Sequence, residues 1–407
     1  MNRTEFQSAL LMAMGTVGLY LANLIFAKTL SPEAYGYFGL ILVLPALAYS
    51  FGLLGTEQVL LRHGHPDGEL VSFPAGLRRA EIQSGLLSSA LLALFFAWKY
   101  PVPQWGILNS LLAYSLLAAS SAWLLHQVSV LRLARRYDSA QWASQSWRIL
   151  LPFAGLLMAW RNWTSPPHIV LAVLVSLLVS LFLSRLLTRL SGLGIELKRE
   201  AVPFAGIWKE SFYFSSSLLS LSLLAQMDRL ILARTLGVES AGVYIFLFVV
   251  ASGPFSLIQS YMGFTLLPKL RHRLAGESRN SILQRASLEA GLLAVLATAC
   301  SLVLYLYLVK RSYDMVYHRD SLFALLLGLG WVRAFYGVLS ARLSASASTK
   351  DLSSAAVYGW VLSLVALLAA VLWGGKSLLA MATLVPIAWL IRTFAWWRLA
   401  RRAEESA

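Results

Sequence analysis

Two stretches of this chain read as one: IFAKTLSPEAYGYF at residues 25–38 and ILARTLGVESAGVY at residues 231–244. The copies lie 206 residues apart in a chain of 407. Ile25, Ala27, Thr29, Leu30, Glu33 and Gly36 recur as Ile231, Ala233, Thr235, Leu236, Glu239 and Gly242. Lys28 and Phe38 recur as the chemically similar Arg234 and Tyr244. Each copy closes one long apolar run and opens the next. The chain therefore reads as two similar halves in tandem.

Outward from these copies, runs of roughly 20 apolar residues recur, each long enough to cross ~30 Å of hydrocarbon. The composition agrees, at 58% apolar, 13% charged and mean hydropathy +0.66, where a soluble domain carries about 25% charged residues. The runs are continuous rather than alternating, which excludes a transmembrane β-barrel. Twelve spans are expected, at 8–27, 37–61, 80–98, 106–130, 141–160, 168–188, 211–233, 242–267, 286–309, 322–344, 353–373 and 377–397. The expected fold is all-α and membrane-integral, with twelve transmembrane helices in two parallel six-helix lobes, 1–195 and 196–407. The connection at 189–210 is rich in Gly, Pro and charge and is expected to link the lobes. A short interfacial helix over 201–209 would put Phe204, Ile207 and Trp208 at the headgroups. The first span carries the first copy of the repeat, so it is expected to belong to the fold rather than to a cleaved leader.

The net charge is +15. With the N-terminus in the cytoplasm, Lys and Arg favour the inner segments by about three to one, so the positive-inside rule puts both termini in the cytoplasm. This distribution accounts for the charge without nucleic acid. Six spans is an even number, so the halves are expected as parallel repeats with a substrate route between them. The one cysteine, Cys300, excludes an intrachain disulfide. Its apolar run predicts a buried, inert thiol.

Three arginines fall deep within spans: Arg148, Arg229 and Arg333. Each would cost at least ~2.5–3.5 kcal/mol facing lipid. They are expected to face protein or a wet cavity, paired with acids or helix carbonyls, or forming a cationic cavity for an anion. Acids are scarce at these depths: Asp228 is the clear one, and Glu57 lies near the inner end of the second span. That imbalance favours the cationic cavity, and guanidinium matches phosphate oxygens bidentately. Asp228 either holds a salt bridge or serves as a proton or sodium site, and Glu57 is a second coupling candidate. Asn23, which the repeat places against Arg229, and Ser216, Ser220 and Gln259 add uncharged polar groups. Serines in membrane helices serve close packing or line a cavity. His126 reads as a packing or hydrogen-bonding residue rather than a proton relay.

The first motif has its own local logic. Ser31 is expected as an N-cap, Pro32 at the first helical position and Glu33 in the first turn. Gly36 and Gly242 are expected at close helix approaches. Pro45, Pro152, Pro254 and Pro386 fall within spans and are expected to kink them or to pack without motion. The sequence carries no phosphate-binding Gly-rich loop, no Cys/His metal cluster and no catalytic constellation in a hydrophilic domain.

Several stretches resemble one family. MDRLILARTLGVESAGVYIFLFVVA resembles the seventh-span signature of polysaccharide exporters. LIFAKTLSPEAYGYFGLILVLPAL resembles their first-span exit, FGLLGTEQVLLRHG the end of their second span, and LHQVSVLRLARRYDSAQW their basic connection after the fourth. The chain is thereby similar to Wzx-type flippases of the multidrug/oligosaccharidyl-lipid/polysaccharide exporter superfamily. That resemblance implies an undecaprenyl-diphosphate-linked oligosaccharide as substrate, moved from the cytoplasmic to the periplasmic leaflet of the inner membrane for O-antigen or exopolysaccharide assembly. It implies Arg148, Arg229 and Arg333 on the diphosphate and serines along the sugar path. It also implies H+ or Na+ coupling without other cofactor, and a polysaccharide polymerase and chain-length regulator as partners. A multidrug antiporter of the same superfamily remains an alternative, disfavoured because the first span offers Asn23 where an acid is expected. A lipid II flippase of the fourteen-span branch is disfavoured by the span count. An integral-membrane glycosyltransferase or polymerase is disfavoured by the short loops.

Overall fold

A computed structural model describes residues 3–67, 70–190, 192–198, 204–271, 279–346 and 349–405. The first half runs α1 (Arg3–Thr29), α2 (Pro32–Phe51), α3 (Thr56–His63), β1 (His65–Asp67), β2 (Leu70–Pro74), α4 (Ala75–Lys99), α5 (Ile107–Leu133), α6 (Tyr137–Arg161), α7 (Pro166–Leu190) and β3 (Gly194–Lys198). The second runs α8 (Phe204–Thr235), α9 (Val238–Arg271), α10 (Arg279–Val303), a π-helical turn at Leu304–Val309, α11 (Lys310–Ser312), α12 (Asp320–Ser346), α13 (Thr349–Leu372) and α14 (Leu378–Glu405). Each expected span has its helix. Among the described residues, eleven helices are long and apolar enough to cross a membrane. The twelfth, α6, spans 25 residues but carries Gln141, Gln145 and Arg148, polar residues that lower its hydropathy. It packs between α1 and α7. The protein is a multi-pass integral membrane protein.

The repeat sits where two helices meet. The first copy covers the end of α1 and the start of α2, the second the end of α8 and the start of α9. Ser31 caps α2, its Oγ accepting from the Ala34 N–H at 3.2 Å, with Pro32 in the first turn. The second copy has Gly237 at the same position, at φ +87°, which a residue with a Cβ adopts only under strain. Gly36 and Gly242 are both buried.

The chain forms two compact units, Met1–Ser222 and Leu223–Ala407. The division falls within α8, beyond the linker at 189–210. The reason is that the linker is built into the first unit. β3 pairs parallel with β2, which pairs antiparallel with β1, so the chain is not purely helical. Such strands of three to five residues carry too little alternation to read from sequence. No separate interfacial helix forms over 204–209, since α8 runs unbroken from Phe204, and residues 201–203 lie outside the described set. Ile207 does not sit at headgroups. It is fully buried against Val59, Leu60, Val71 and Phe73. Glu210 accepts from Arg62 Nη1 at 2.6 Å and lies 2.9 Å from His63 Nε2.

Two further corrections concern the spans. The second is not one helix: it breaks at Gly52–Gly55, where Leu54 has φ 48° and Gly55 φ 79°. A Cβ on Gly55 would lie 3.1 Å from the Phe214 Cβ, so glycine admits α8 at that break. Cys300 is exposed rather than buried. In a membrane helix the outward face is itself apolar, so an apolar run does not distinguish core from lipid face. Leu288, Leu292, Val295 and Leu296 on the same helix are likewise exposed.

Candidate functional site: a cation pair in the C-terminal unit

The C-terminal unit gathers charge around one phenylalanine. Asp228 of α8 is 1% exposed. Its Oδ1 accepts from the Arg229 backbone N–H at 2.9 Å, and its Oδ2 accepts from the Tyr244 hydroxyl of α9 at 2.8 Å. The Arg229 guanidinium lies 5.0 Å from the Phe248 ring centre, one turn further along α9. Arg333 of α12 reaches the same ring at 5.7 Å and the Trp389 ring of α14 at 5.3 Å. Four helices thus bring two guanidinium groups to one aromatic side chain. Both lie within electrostatic reach of Asp228. The Nε of each is buried without a hydrogen-bond partner, and among the described residues neither forms an ion pair within 4.0 Å. Two cations face one acid whose oxygens are already engaged.

Cation–π contact supplies about 2 kcal/mol when desolvated, less than the ~2.5–3.5 kcal/mol a single mid-bilayer guanidinium costs on insertion scales. The pair is chemically suited to an anion with several oxygens, because each guanidinium offers donors in a planar fork.

A further buried arginine, Arg392, is not among the three that the sequence places deep within spans. It is 1% exposed on α14 and is the largest fully buried side chain among the described residues. Its Nε donates to the Tyr336 hydroxyl at 3.1 Å, its guanidinium lies 4.2 Å from the Trp396 ring centre, and its Nη1 has no partner. Tyr336 meets Trp389 edge-on at 5.2 Å. Arg333, Trp389, Tyr336, Arg392 and Trp396 therefore form a continuous cation–aromatic seam between α12 and α14. The signal lay in the spacing: Trp389, Arg392 and Trp396 share one helical face.

Of the other expected residues, all but Gln259 lie in the N-terminal unit. Arg148 is half-buried on α6; its Nη1 donates to Gln145 Oε1 at 3.3 Å, and its Nε is unpartnered. Its backbone meets α1 closely, since a Cβ on Gly18 would lie 2.6 Å from the Arg148 carbonyl oxygen. Asn23 is 3% exposed; its Nδ2 donates to the Leu19 carbonyl at 2.7 Å, and its Oδ1 accepts from the Tyr35 hydroxyl at 2.8 Å. Ser220 is buried and Ser216 half-buried on α8. Glu57 is 2% exposed in the first turn of α3, with Oε2 unpartnered. Gln259 lies on α9, and its side chain falls outside the described set. Among the described residues no group of three His, Cys, Asp or Glu is arranged to hold a metal.

The architecture is shared with solved transporters. A multidrug resistance MATE family transporter of the MOP superfamily, in an inward-facing conformation, matches with TM-score 0.59 at 13% identity, covering 98% of this chain and 99% of that one. The lipid II flippase MurJ, inward closed, matches with TM-score 0.66 at 13% identity, over 96% of this chain and 86% of that one. A MOP superfamily transporter from Pyrococcus furiosus, described as having a binding pocket of reverse polarity, matches with TM-score 0.55 at 15% identity, over 98% and 95%. These likenesses show that the chain shares its fold with those proteins. The model of a polysaccharide biosynthesis protein family matches residues 25–274, and the chain belongs to that family. No curated protein matches the chain.

Proposed function

We propose that the protein is a Wzx-type flippase that moves undecaprenyl-diphosphate-linked oligosaccharide repeat units from the cytoplasmic to the periplasmic leaflet of the inner membrane. The observation that carries this reading is the pairing of Arg229 and Arg333 across Phe248 with one engaged acid. Diphosphate is the anionic part common to such substrates, whatever the sugar. Membership of a polysaccharide biosynthesis family supports the lipid-linked sugar. A cationic drug, the cargo of the multidrug antiporter alternative, would meet repulsion there.

On this reading Arg229 and Arg333 of the C-terminal unit hold the diphosphate, and Arg148 is the corresponding candidate of the N-terminal unit. Asn23, Ser216, Ser220 and Gln259 contribute along the sugar path. Asp228 and Glu57 are the candidates for H+ or Na+ coupling. Both termini face the cytoplasm and both copies of the repeated motif face the periplasm. A polymerase and a chain-length regulator act next on the product.

The test is complementation of surface polysaccharide in a flippase-deleted strain, with membrane levels of each variant measured. Arg229→Ala and Arg333→Ala are expected to lower export by roughly 10- to 100-fold, the equivalent of one charge-assisted hydrogen bond of about 1.5–3 kcal/mol. Lysine at either position is expected to restore export partly, keeping charge but not the fork. Full export by inserted alanine variants contradicts the reading.

A further inference from the structure

Arg333 owes its place to two rings. Its guanidinium lies 5.7 Å from the Phe248 centre on α9 and 5.3 Å from the Trp389 centre on α14. Among the described residues it forms no ion pair, and its Nε has no hydrogen-bond partner. A guanidinium on a long stem is aimed by what it touches, and here it touches aromatic faces. Whatever fixes those rings therefore fixes Arg333.

Trp389 is held in turn by Tyr336 of α12. The two rings cross at 83° with centres 5.2 Å apart, an edge-on arrangement that aromatic pairs favour. Tyr336 also meets Trp396, with centres 5.9 Å apart. Its hydroxyl accepts from Arg392 Nε at 3.1 Å. Arg333 and Tyr336 are one turn apart on α12, as Trp389 and Arg392 are on α14, so each helix presents its pair on one face.

Arg392 is an expensive way to fill this space. It is fully buried, its Nη1 has no partner, and among the described residues it forms no ion pair. A leucine or methionine would pack against the same rings without the desolvation a buried guanidinium carries. What the guanidinium adds is a donor. That donor fixes the Tyr336 hydroxyl, and with it the ring that meets both tryptophans. The chain of contacts then runs from Arg392 through Tyr336 and Trp389 to Arg333.

We propose that Arg392 is a positioning residue for Arg333: by holding the Tyr336 hydroxyl it sets the Trp389 ring against which the Arg333 guanidinium lies. In this role Arg392 touches no substrate. What the positioning serves rests on the diphosphate reading of Arg333, since a planar fork grips two oxygens only while its plane is held. The positioning itself needs no substrate.

Arginine 15N–1H NMR of the purified full chain in lipid nanodiscs reads the positioning directly. Ring currents from Phe248 and Trp389 displace the Arg333 signals, and Arg333→Lys identifies them. Tyr336→Phe removes the acceptor and keeps the ring. Should that variant, which leaves Arg392 without a partner, fail to accumulate, Arg392→Met carries the same test, because it removes the buried charge together with the donor. Either is expected to move the Arg333 signals and to leave those of Arg148, in the other unit, in place; Arg392→Lys, which keeps a donor, is expected to move them less. Binding of undecaprenyl diphosphate supplies the second arm. Tyr336→Phe is expected to weaken it roughly 3- to 10-fold in the native chain, and by less than about 2-fold once Arg333 is alanine, since residues acting through one another do not add. Arg333 signals unmoved by both variants would overturn the proposal, and so would equal weakening in the two backgrounds where Arg333→Ala itself weakens binding. If the signals move but Arg333→Ala leaves binding unchanged, the diphosphate reading fails and the positioning stands. If Arg333→Ala weakens binding but the signals stay, the reading stands and the positioning fails.

Discussion

In the N-terminal unit the first helix presents Asn23 to the Tyr35 hydroxyl of the second; in the C-terminal unit the corresponding helix presents Asp228 to that of Tyr244. Both bonds are 2.8 Å and buried, and both close the same helical corner. Yet the repeat aligns Asn23 with Arg229 and Tyr244 with Phe38, so the bonds do not occupy repeated positions. The backbone plan recurs at an offset of 206, with helix ends at Thr29 and Thr235 and starts at Pro32 and Val238. The chemistry does not recur. One unit closes its corner with a neutral amide, and the other with a carboxylate beside two guanidinium groups. A repeat read from sequence therefore predicts where helices turn, but not which half carries the charge.

The comparison breaks most sharply under an exchange of its acceptors. Asn23→Asp puts a carboxylate into a corner where, among the described residues, no cation contacts it, and an unpaired buried charge costs several kcal/mol. The expected outcome is loss of the folded protein from the membrane, read as band intensity after fractionation. Asp228→Asn keeps an acceptor for Tyr244 but removes the acid beside Arg229 and Arg333, and is expected to lower the membrane level less than Asn23→Asp does. Equal membrane levels for the two variants would show that the corners are electrostatically alike.

Removing the donors gives a smaller difference. Tyr244→Phe deletes a hydrogen bond to a charged acceptor, about 1.5–3 kcal/mol, whereas Tyr35→Phe deletes one to an amide, about 0.5–1.5 kcal/mol. Thermal unfolding in detergent is expected to rank Tyr244→Phe as the less stable. The reverse order would mean that Asp228 is not ionised in the folded protein.

The loop at the corner sharpens the comparison further. Gly237→Ala places a Cβ at φ +87° and is expected to cost about 1–2 kcal/mol. At the aligned position of the first copy, Ser31→Gly loses a cap and is expected to cost only a few tenths of a kcal/mol. If Gly237→Ala proves as mild as Ser31→Gly, the second corner is not held in the left-handed conformation.

Much of the fold was legible because membrane spans are written in long runs. The helix junctions at Thr29/Pro32 and Thr235/Val238, the cap at Ser31 and the depth of Arg229 and Arg333 all follow from local sequence. The β1–β2–β3 sheet did not, because its pairings join residues 65–74 to residues 194–198 through side chains no different from loop residues. The burial of Ile207 escaped for the same reason, since only that pairing draws the linker into the first unit. Burial of Arg392 was hidden by its place near the end of a span, where an arginine ordinarily reaches the headgroups. Cys300 misled because hydropathy has the same sign for lipid and for core.

On the proposed function, the C-terminal cation pair recognises a diphosphate. The most direct measurement is binding of undecaprenyl diphosphate to the purified protein in nanodiscs, compared between the native chain and the Arg229→Ala/Arg333→Ala double variant. Loss of two charge-assisted contacts of about 1.5–3 kcal/mol each is expected to weaken binding by at least ~100-fold. The same affinity in a double variant that unfolds at the native temperature would contradict it.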